Sequence, residues 1–195
     1  MKVAVIKYNA GNIRSVSFAL ERLNINFSIT DDAEEISSAD KVIFPGVGEA
    51  STTMKYLQAR NLDQTIANLK QPVLGICLGM QLMCRYSDEN ETTCLGIFTE
   101  TVRQFKPTMD MKVPHVGWNQ LQAVNGWLDR VLEHQSTYFV HSYYVPVNNN
   151  TSATTSYLVP FSAAMRKDNF YAVQFHPEKS AEIGEIVLKC FFKQP

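Results

Sequence analysis

The chain has 195 residues, of which 45% are hydrophobic and 19% are charged, and its formal net charge is −1. That length predicts one well-buried domain over residues 1–195, and the composition is that of an ordinary globular protein. The near-neutral charge gives no electrostatic reason to bind nucleic acid or an anionic membrane, and no apolar stretch approaches the roughly 20 residues of a membrane span.

The first half of the chain alternates strand and helix patterns. Short apolar runs predict strands, and apolar residues at helical spacing predict the helices between them. The predicted strands are 3–6, 26–30, 41–44 and 73–76. The predicted helices are one carrying Ile13, Val16, Leu20 and Leu23 with Asn12 as its N-cap, one over 51–69 in two pieces, and one after Cys77 carrying Met80, Met83 and Cys84. This alternation predicts a parallel sheet with helices on both faces.

The second half, from about residue 95 to 175, has shorter apolar runs and frequent turn signals. It predicts hairpins and antiparallel strands, for example at 101–105, 137–140 and 163–166, and the polar segment 148–156 is predicted as a surface loop. A final helix is predicted from the apolar face of Ile183, Ile186, Val187 and Cys190. The expected fold class is an α/β three-layer sandwich with a mostly parallel central sheet, helices on both faces and an antiparallel extension in the second half.

The cysteines are not arranged in pairs. They are Cys77, Cys84, Cys94 and Cys190, and their spacing supports neither a zinc knuckle nor a thioredoxin motif. Residues 1–7 have too few apolar residues for a signal peptide. We therefore expect a cytoplasmic protein with reduced thiols, no metal and no cofactor.

The segment 75–81, Gly-Ile-Cys-Leu-Gly-Met-Gln, lies at a predicted strand-to-helix junction. A Gly-x-Cys-x-Gly at such a junction is the cysteine form of a nucleophile elbow, whose tight turn lifts one side chain out of the sheet. The exposed amides at the start of the helix favour a thiolate there. The motif predicts Cys77 as a nucleophile, and its alternative is a buried, inert cysteine.

His176-Pro177-Glu178 supplies the groups that such a nucleophile needs. The preceding run, 171–175, predicts a buried strand ended by Pro177, and site residues collect at strand ends in open α/β sheets. A cysteine nucleophile needs a base and a group that orients the base. We therefore predict a triad of Cys77, His176 and Glu178, with a structural role for His176 as the alternative.

Residues 45–48, Pro-Gly-Val-Gly, end the third predicted strand, at the same edge of the sheet as Cys77. Two glycines free the backbone to point amides inward, where an acyl-transfer site stabilises a negatively charged carbonyl oxygen. The Leu78 amide, at the start of the next helix, offers a second donor. An ordinary turn is the alternative.

On these motifs the chain resembles the triad-type, class I glutamine amidotransferases, and more narrowly the glutaminase subunits of imidazole glycerol phosphate synthase. The matching segments follow one another over nearly the whole chain: 11–16, 45–48, 75–81, 114–119, 141–144 and 176–180. The elbow and the His-Pro-Glu segment are general to the superfamily. The Gly-Asn-x-Arg-Ser, Val-Gly-Trp-Asn and Pro-Glu-Lys-Ser segments are more specific.

The resemblance implies that Cys77 attacks the side-chain carboxamide of L-glutamine, that His176 mediates the proton transfers, and that Glu178 orients His176. It implies an oxyanion hole made by the amides of Val47 and Leu78. The implied substrate contacts are Gly46, Gln81, Glu89, Ser142 and Tyr143. A carboxylate such as Glu89 suits the ammonium group of the substrate.

The resemblance also implies a heterodimer, in which ammonia passes to a (β/α)8-barrel synthase subunit making imidazole glycerol phosphate and AICAR in histidine biosynthesis. The implied docking residues are Trp118, Asn119, Tyr138 and Lys179. Exposed tryptophans suit such hot spots, whereas a core tryptophan is the alternative for Trp118.

The chain departs from the family pattern at Lys7-Tyr8-Asn9, where an Asp-Tyr-Gly is common, and Lys7 reverses a charge near the expected docking face. His115, His134 and His141 show no metal spacing and are expected in structural or interface roles. Three other functions stay open: a glutaminase subunit serving another acceptor, a catalytically silent scaffold, and a free-standing cysteine hydrolase.

Overall fold

The computed structural model describes residues 1–8 and 13–195. The predicted N-cap Asn12 and the departure at Asn9 therefore lie outside the described residues. The strands are β1 (Val3–Ile6), β2 (Phe27–Thr30), β3 (Lys41–Phe44), β4 (Val73–Ile76), β5 (Tyr86–Ser87), β6 (Thr92–Thr93), β7 (Thr101–Gln104), β8 (His115–Gln120), β9 (Ser136–His141), β10 (Tyr143–Tyr144), β11 (Thr151–Tyr157), β12 (Val159–Lys167) and β13 (Phe170–Val173). The helices are α1 (Ile13–Arg22), α2 (Ala33–Ser37), α3 (Ala50–Ala59), α4 (Leu62–Asn68), α5 (Leu78–Leu82) and α6 (Ala181–Phe192). Short 3₁₀ turns lie at Glu89–Glu91, Arg130–Leu132 and Pro177–Lys179.

The large sheet has the strand order β11-β12-β13-β4-β3-β1-β2. Strands β13, β4, β3, β1 and β2 run parallel to one another, and β12 and β11 extend the sheet with antiparallel pairing. The predicted mostly parallel sheet with an antiparallel extension is confirmed. The ends of β3 and β4 bring the segment 45–48 next to Cys77, as parallel strands require.

Helices cover both faces of this sheet. Successive residues of β1 belong to different buried clusters, since Val3 and Val5 pack with α1 and α6, whereas Ala4 and Ile6 pack with α2 to α5. Because alternate residues of a strand point to the same face, the two clusters lie on opposite sides of the sheet. The predicted three-layer sandwich is confirmed.

The second half adds a small sheet of order β10-β7-β5-β6 and an antiparallel ribbon of β8 and β9. The ribbon has one buried and one outward face: along β9, Thr137, Phe139 and His141 are buried. On the outward face of β8, Val116 and Trp118 are each 57% exposed. Within the small sheet β7 pairs in parallel with β5, a pairing that the hairpin prediction did not include.

The predicted surface loop at 148–156 is wrong over most of its length. β11 occupies Thr151–Tyr157 and pairs with β12 as the edge strand of the large sheet. Ser152 and Thr155 are buried there, and the Thr155 hydroxyl donates to the carbonyl oxygen of Gln120. The polar composition indicated a loop, but threonine is β-branched and favours a strand wherever its hydroxyl finds a partner.

Several predicted boundaries also differ from the structure, by one residue at β2 and β7 and by more at two places near the candidate site. β13 ends at Val173, so Gln174 and Phe175 follow the strand, although both are fully buried. The helix after Cys77 is short, and Met83 is its C-cap residue. The helix α2 was not predicted, since five residues are too few for a periodic pattern to be recognised.

Candidate active site

Cys77 lies in a strained turn between β4 and α5. Its φ of +53° and ψ of −107° are rare for a residue with a Cβ, and such strain collects at functional sites. Close packing surrounds the turn, because a Cβ on Gly79 would lie 2.0 Å from the Phe44 carbonyl oxygen. Glycine at position 79 therefore lets α5 approach β3 closely enough to hold Cys77 in this turn.

His176 and Glu178 form a buried pair in the 3₁₀ turn after β13. The distance from His176 Nδ1 to Glu178 Oε1 is 2.7 Å, and both side chains are 1% exposed. The Ser180 hydroxyl donates to the carbonyl oxygen of His176 at 2.7 Å and so fixes the backbone of the turn. Because a carboxylate accepts hydrogen bonds, Nδ1 carries the proton of this contact.

Cys77 and His176 interact electrostatically. Burial lowers the pKa of His176, but the sulfur of Cys77 and the carboxylate of Glu178 together outweigh that effect and raise it to about 10. His176 Nε2 is buried and has no hydrogen bond of ordinary geometry to the described residues. The sulfur of Cys77 and the carboxylate of Glu178 therefore both favour the charged form of the His176 ring. A cationic ring at neutral pH can act as a general acid.

A cavity of about 310 Å³ opens beside Cys77. This volume is at the small end of ligand pockets and suits a molecule of amino-acid size. The residues that line it are Val47, Gly48, Cys77, Leu78, Gln81, Glu89, Pro114, Val140, His141, Ser142 and Tyr143. Six of the predicted contacts to the substrate or its oxyanion therefore line the same cavity as Cys77, whereas Gly46, His176 and Glu178 are buried and do not line it.

The segment 45–48 is engaged with the rest of the protein. The Leu78 amide donates to the carbonyl oxygen of Gly46 at 3.3 Å. The hydroxyl of Tyr8, which is buried, donates to the Pro45 carbonyl oxygen. Burial and the sulfur of Cys77 both raise the pKa of Tyr8, so this hydroxyl stays protonated and donates. The Leu78 amide, one of the two predicted oxyanion donors, is thus engaged by Gly46 in this structure.

The other predicted substrate contacts are held by hydrogen bonds to neighbouring residues. Gln81 Nε2 donates to the Tyr143 carbonyl oxygen at 2.9 Å, and the Ser142 carbonyl oxygen accepts from the Phe105 amide at 3.0 Å. Glu89 Oε2 accepts from the Ala50 amide at 2.8 Å. Burial raises the pKa of Glu89, and the Ala50 hydrogen bond only partly opposes that effect.

Sequence reasoning missed Gln174 as a site residue. It is fully buried, accepts from Gln81 Nε2 at 2.9 Å, and places its amide nitrogen 3.7 Å from the sulfur of Cys77. A polar residue within the apolar run 170–175 was the available signal, because buried polar side chains need specific partners. His141 was expected in a structural or interface role, and it also lines the cavity.

Trp118, Tyr138 and Lys179 lie together on the outward face of the ribbon and the adjoining turn. Asn119 lies on the opposite face of β8, where its side chain contacts His115 and Ser156. Trp118 pairs with Tyr138 across the ribbon, with ring centroids 6.0 Å apart. Lys179 Nζ lies 5.9 Å from the centroid of the Tyr138 ring. The exposure of Trp118 excludes the core alternative, and Asn119 beside it is half-buried.

Among residues 1–8 and 13–195, no group of three or more His, Cys, Asp or Glu side chains is placed to hold a metal ion. In the same part of the chain, no helix is long and apolar enough to cross a membrane.

A strained cysteine at a strand-to-helix turn, facing a cavity and backed by a buried His-Glu pair, is the arrangement expected of a cysteine-dependent acyl-transfer enzyme. The sequence profile of the family "Glutamine amidotransferase class-I" matches residues 4–194, and the chain belongs to that family. Solved structures agree on the fold: one titled as a glutamine amidotransferase has a TM-score of 0.74 at 17% identity and covers 98% of this chain and 97% of that one. A structure of PurLQS from Thermotoga maritima has a TM-score of 0.72 at 16% identity, with the same coverage.

Within the family, the curated relatives point to one subgroup. The chain is 60% identical over 193 residues to a Bacteroides thetaiotaomicron protein named imidazole glycerol phosphate synthase subunit HisH, with 98% of each chain covered. It is 44% identical over 196 residues to the Haemophilus influenzae protein of the same name, with 100% of this chain and 98% of that one covered.

Proposed function

We propose that this chain is the glutaminase subunit of an imidazole glycerol phosphate synthase, acting in histidine biosynthesis. It hydrolyses L-glutamine to glutamate and ammonia in the cytoplasm, as one glutamine amidotransferase domain over residues 1–195. The observation that carries the proposal is Cys77, held in a strained turn at a cavity, with the His176–Glu178 pair behind it. Near-full-length identity to proteins named as that subunit supports the choice of pathway.

The chemistry follows from the charges at the site. The Cys77 thiolate attacks the carboxamide carbon of glutamine, and the oxygen becomes negative. His176 gives its Nε2 proton to the departing nitrogen, so ammonia leaves and a thioester remains. The neutral ring then takes a proton from water, which attacks the thioester and releases glutamate and the thiolate. Glu178 holds Nδ1 throughout and stabilises the ring whenever it is cationic.

We further propose that the released ammonia passes to a (β/α)8-barrel synthase subunit docked over Trp118, Asn119, Tyr138 and Lys179. Free of that partner, the chain is expected to be nearly idle, because the Leu78 amide is engaged by Gly46. Loss of one oxyanion donor costs about 10²–10³-fold in rate. Docking that turns residues 46–48 would free the Leu78 amide and direct the Val47 amide to the same point.

Glutamate release with and without the barrel subunit tests this function. The wild-type chain should be slow alone and faster by about 10²-fold or more in the complex. Cys77→Ala should abolish release in both states, whereas Cys94→Ala, at a buried cysteine that does not line the cavity, should retain it. Turnover that persists in Cys77→Ala would exclude this nucleophile.

A silent scaffold of the same fold is the second candidate, and covalent labelling distinguishes it. A glutamine analogue with a diazoketone in place of the carboxamide should label Cys77 in the complex. A scaffold without an activated sulfur should stay unlabelled under the same conditions.

A further inference from the structure

The carbonyl oxygen of Tyr143, a residue that lines the cavity, is shared by two chains of hydrogen bonds. It accepts from His141 Nδ1 at 2.7 Å and from Gln81 Nε2 at 2.9 Å. A backbone carbonyl oxygen can only accept, so both partners must present a hydrogen to it. Because this oxygen can only accept, it determines which atoms donate and which accept in the side chains linked to His141 and to Gln81.

The first branch runs through two histidines whose rings meet edge to face, with centroids 5.1 Å apart. His141 is neutral with its proton on Nδ1, so its Nε2 must accept from His115 Nδ1, which is 3.0 Å away. His115 Nε2 in turn accepts from the side-chain amide of Asn119 at 3.4 Å, and the same amide donates to the Ser156 carbonyl oxygen at 3.0 Å. Burial lowers the pKa of His115 to about 4 and that of His141 to about 3, so both rings are neutral at neutral pH.

The second branch runs through two glutamines to the nucleophile. Gln81 Nε2 presents its other hydrogen to Gln174 Oε1 at 2.9 Å. With its oxygen used in that way, Gln174 must present its amide nitrogen to the sulfur of Cys77, 3.7 Å away. A donor aimed at sulfur stabilises the thiolate over the thiol.

We propose that His115, His141 and Gln174 are positioning residues of one hydrogen-bond network, which fixes the backbone of the cavity-lining residue Tyr143 and directs the Gln174 amide at the sulfur of Cys77. The network begins at Asn119, next to the exposed Trp118, and ends at the nucleophile. The effect of this network on glutamine turnover rests on the proposed glutaminase function. The direction of its hydrogen bonds, that is, which group donates and which accepts, does not.

Histidine ring nitrogen shifts, measured by ¹⁵N NMR on the full chain at neutral pH, test that polarity directly. The chain has 4 histidines, so substitution of each one assigns the spectrum. His115 and His141 should both be neutral with the proton on Nδ1. A charged ring, or a proton on Nε2 of either residue, would overturn the network.

Asn119→Asp tests the outer end, because it replaces the donor by an isosteric acceptor. His115 Nε2 should then acquire a proton, visible in its ¹⁵N shift. An unchanged His115 signal would mean that Asn119 and His115 do not share this hydrogen bond.

Gln174→Met tests the inner end, because it keeps the length of the side chain and removes the donor. Alkylation of Cys77 by iodoacetamide at pH 7, followed by peptide mass spectrometry, should slow by about tenfold, since a hydrogen bond to a charged group favours that charge by such a factor. Gln64→Met, on the exposed face of α4, is the control and should react like the wild type. Equal rates in Gln174→Met and the wild type would exclude the donor role.

Glutaminase kinetics in the complex with the barrel subunit distinguish a hydrogen-bonding role of the His115 ring from a role in packing alone. The ring stacks on Tyr157 and Phe139, with centroids 4.1 Å and 5.0 Å apart. His115→Phe keeps the stacking and should raise KM for glutamine about three- to tenfold, while kcat changes less than twofold. His115→Gln keeps a donor and an acceptor and should recover most of the loss, and equal KM values in the two variants would contradict the proposal. If the wild type itself lacks glutaminase activity, the proposed function fails, while the NMR and alkylation results still decide the network.

Discussion

At the scale of single residues, charge separates the histidines into two kinds. His176 is held cationic by the sulfur of Cys77 and the carboxylate of Glu178, against the effect of burial. His115 and His141 are held neutral by burial, and His176 adds to that effect at His141 through like-charge repulsion. The imidazole side chain therefore serves as a proton donor at His176 and as a fixed link in a hydrogen-bond network at His115 and His141.

Replacing Glu178 by glutamine should show how much catalysis depends on that separation. Glu178→Gln keeps the shape and a hydrogen bond to Nδ1 but removes the negative charge, so the pKa of His176 should fall. We expect glutaminase kcat in the complex to drop by about 10²–10⁴-fold, with little change in KM. Steady-state kinetics measure it, and the unfolding temperature of the variant shows whether the fold is intact. A drop of less than tenfold would remove Glu178 from the mechanism.

The buried neutral histidines make stability depend on pH in a defined direction. In the unfolded chain the two rings have their ordinary pKa of about 6.5. In the folded chain the pKa is lowered to about 4 for His115 and to about 3 for His141. At these two rings the unfolded state thus binds more protons between these values, so they lower the free energy of unfolding as pH drops below about 6.5. His176, with its raised pKa, opposes this loss only in part, because one ring acts against two.

Urea unfolding between pH 7 and pH 5 measures this loss, which we expect to be about 2 kcal/mol or more. His115→Phe should remove at least half of it, because only His141 then contributes to the loss. A wild-type free energy of unfolding that stays level over this range would show that the two rings are not held neutral.

At the scale of elements, the sequence predicted strands and helices that have a local apolar pattern. It missed elements that depend on pairing with residues distant in sequence. Strands at 3–6, 41–44 and 73–76 were predicted with the bounds that the structure has, because buried parallel strands are continuous apolar runs. β11 was missed because its buried hydroxyls are satisfied by residues distant in sequence. The histidine link was missed for a related reason: His115 and His141 meet only because they are paired across β8 and β9.

Gly184 provides a test of how α6 positions the pair at 176 and 178. A Cβ at this position would lie 1.8 Å from the Pro177 carbonyl oxygen, in the turn that carries Glu178. Gly184→Ala would gain up to about 1 kcal/mol from helix propensity alone. We expect instead a net destabilisation of about 1–3 kcal/mol, because the helix must move off the turn.

Urea unfolding and glutamate release should report Gly184→Ala together, since the displaced turn carries His176 and Glu178. Lys189→Ala, on the exposed face of the same helix, is the control and should change stability by less than about 0.5 kcal/mol. A more stable Gly184→Ala variant would mean that α6 can shift without cost and does not fix the turn.

At the scale of the whole molecule, the outward face of the β8–β9 ribbon, which carries Trp118 and Tyr138, is exposed and does not pack against the core. Trp118 is 57% exposed, and its main neighbour is the Tyr138 ring opposite it. A large aromatic side chain left in solvent contributes little to folding but can supply much of the binding energy at an interface. If this face binds the proposed barrel partner, one substitution at Trp118 should weaken binding while leaving the free energy of unfolding nearly unchanged.

Trp118→Ala should leave the free energy of unfolding within about 0.5 kcal/mol of the wild type and weaken binding of the barrel subunit by about 2 kcal/mol, or roughly 30-fold. Titration calorimetry gives the affinity, and saturating partner should restore most of the glutaminase rate. Val131→Ala is the matched control, because Val131 is also 57% exposed but lies outside the ribbon. If Trp118→Ala unfolds the chain more readily and binds the partner as tightly as the wild type does, the ribbon face is part of the core arrangement and the docking surface lies elsewhere.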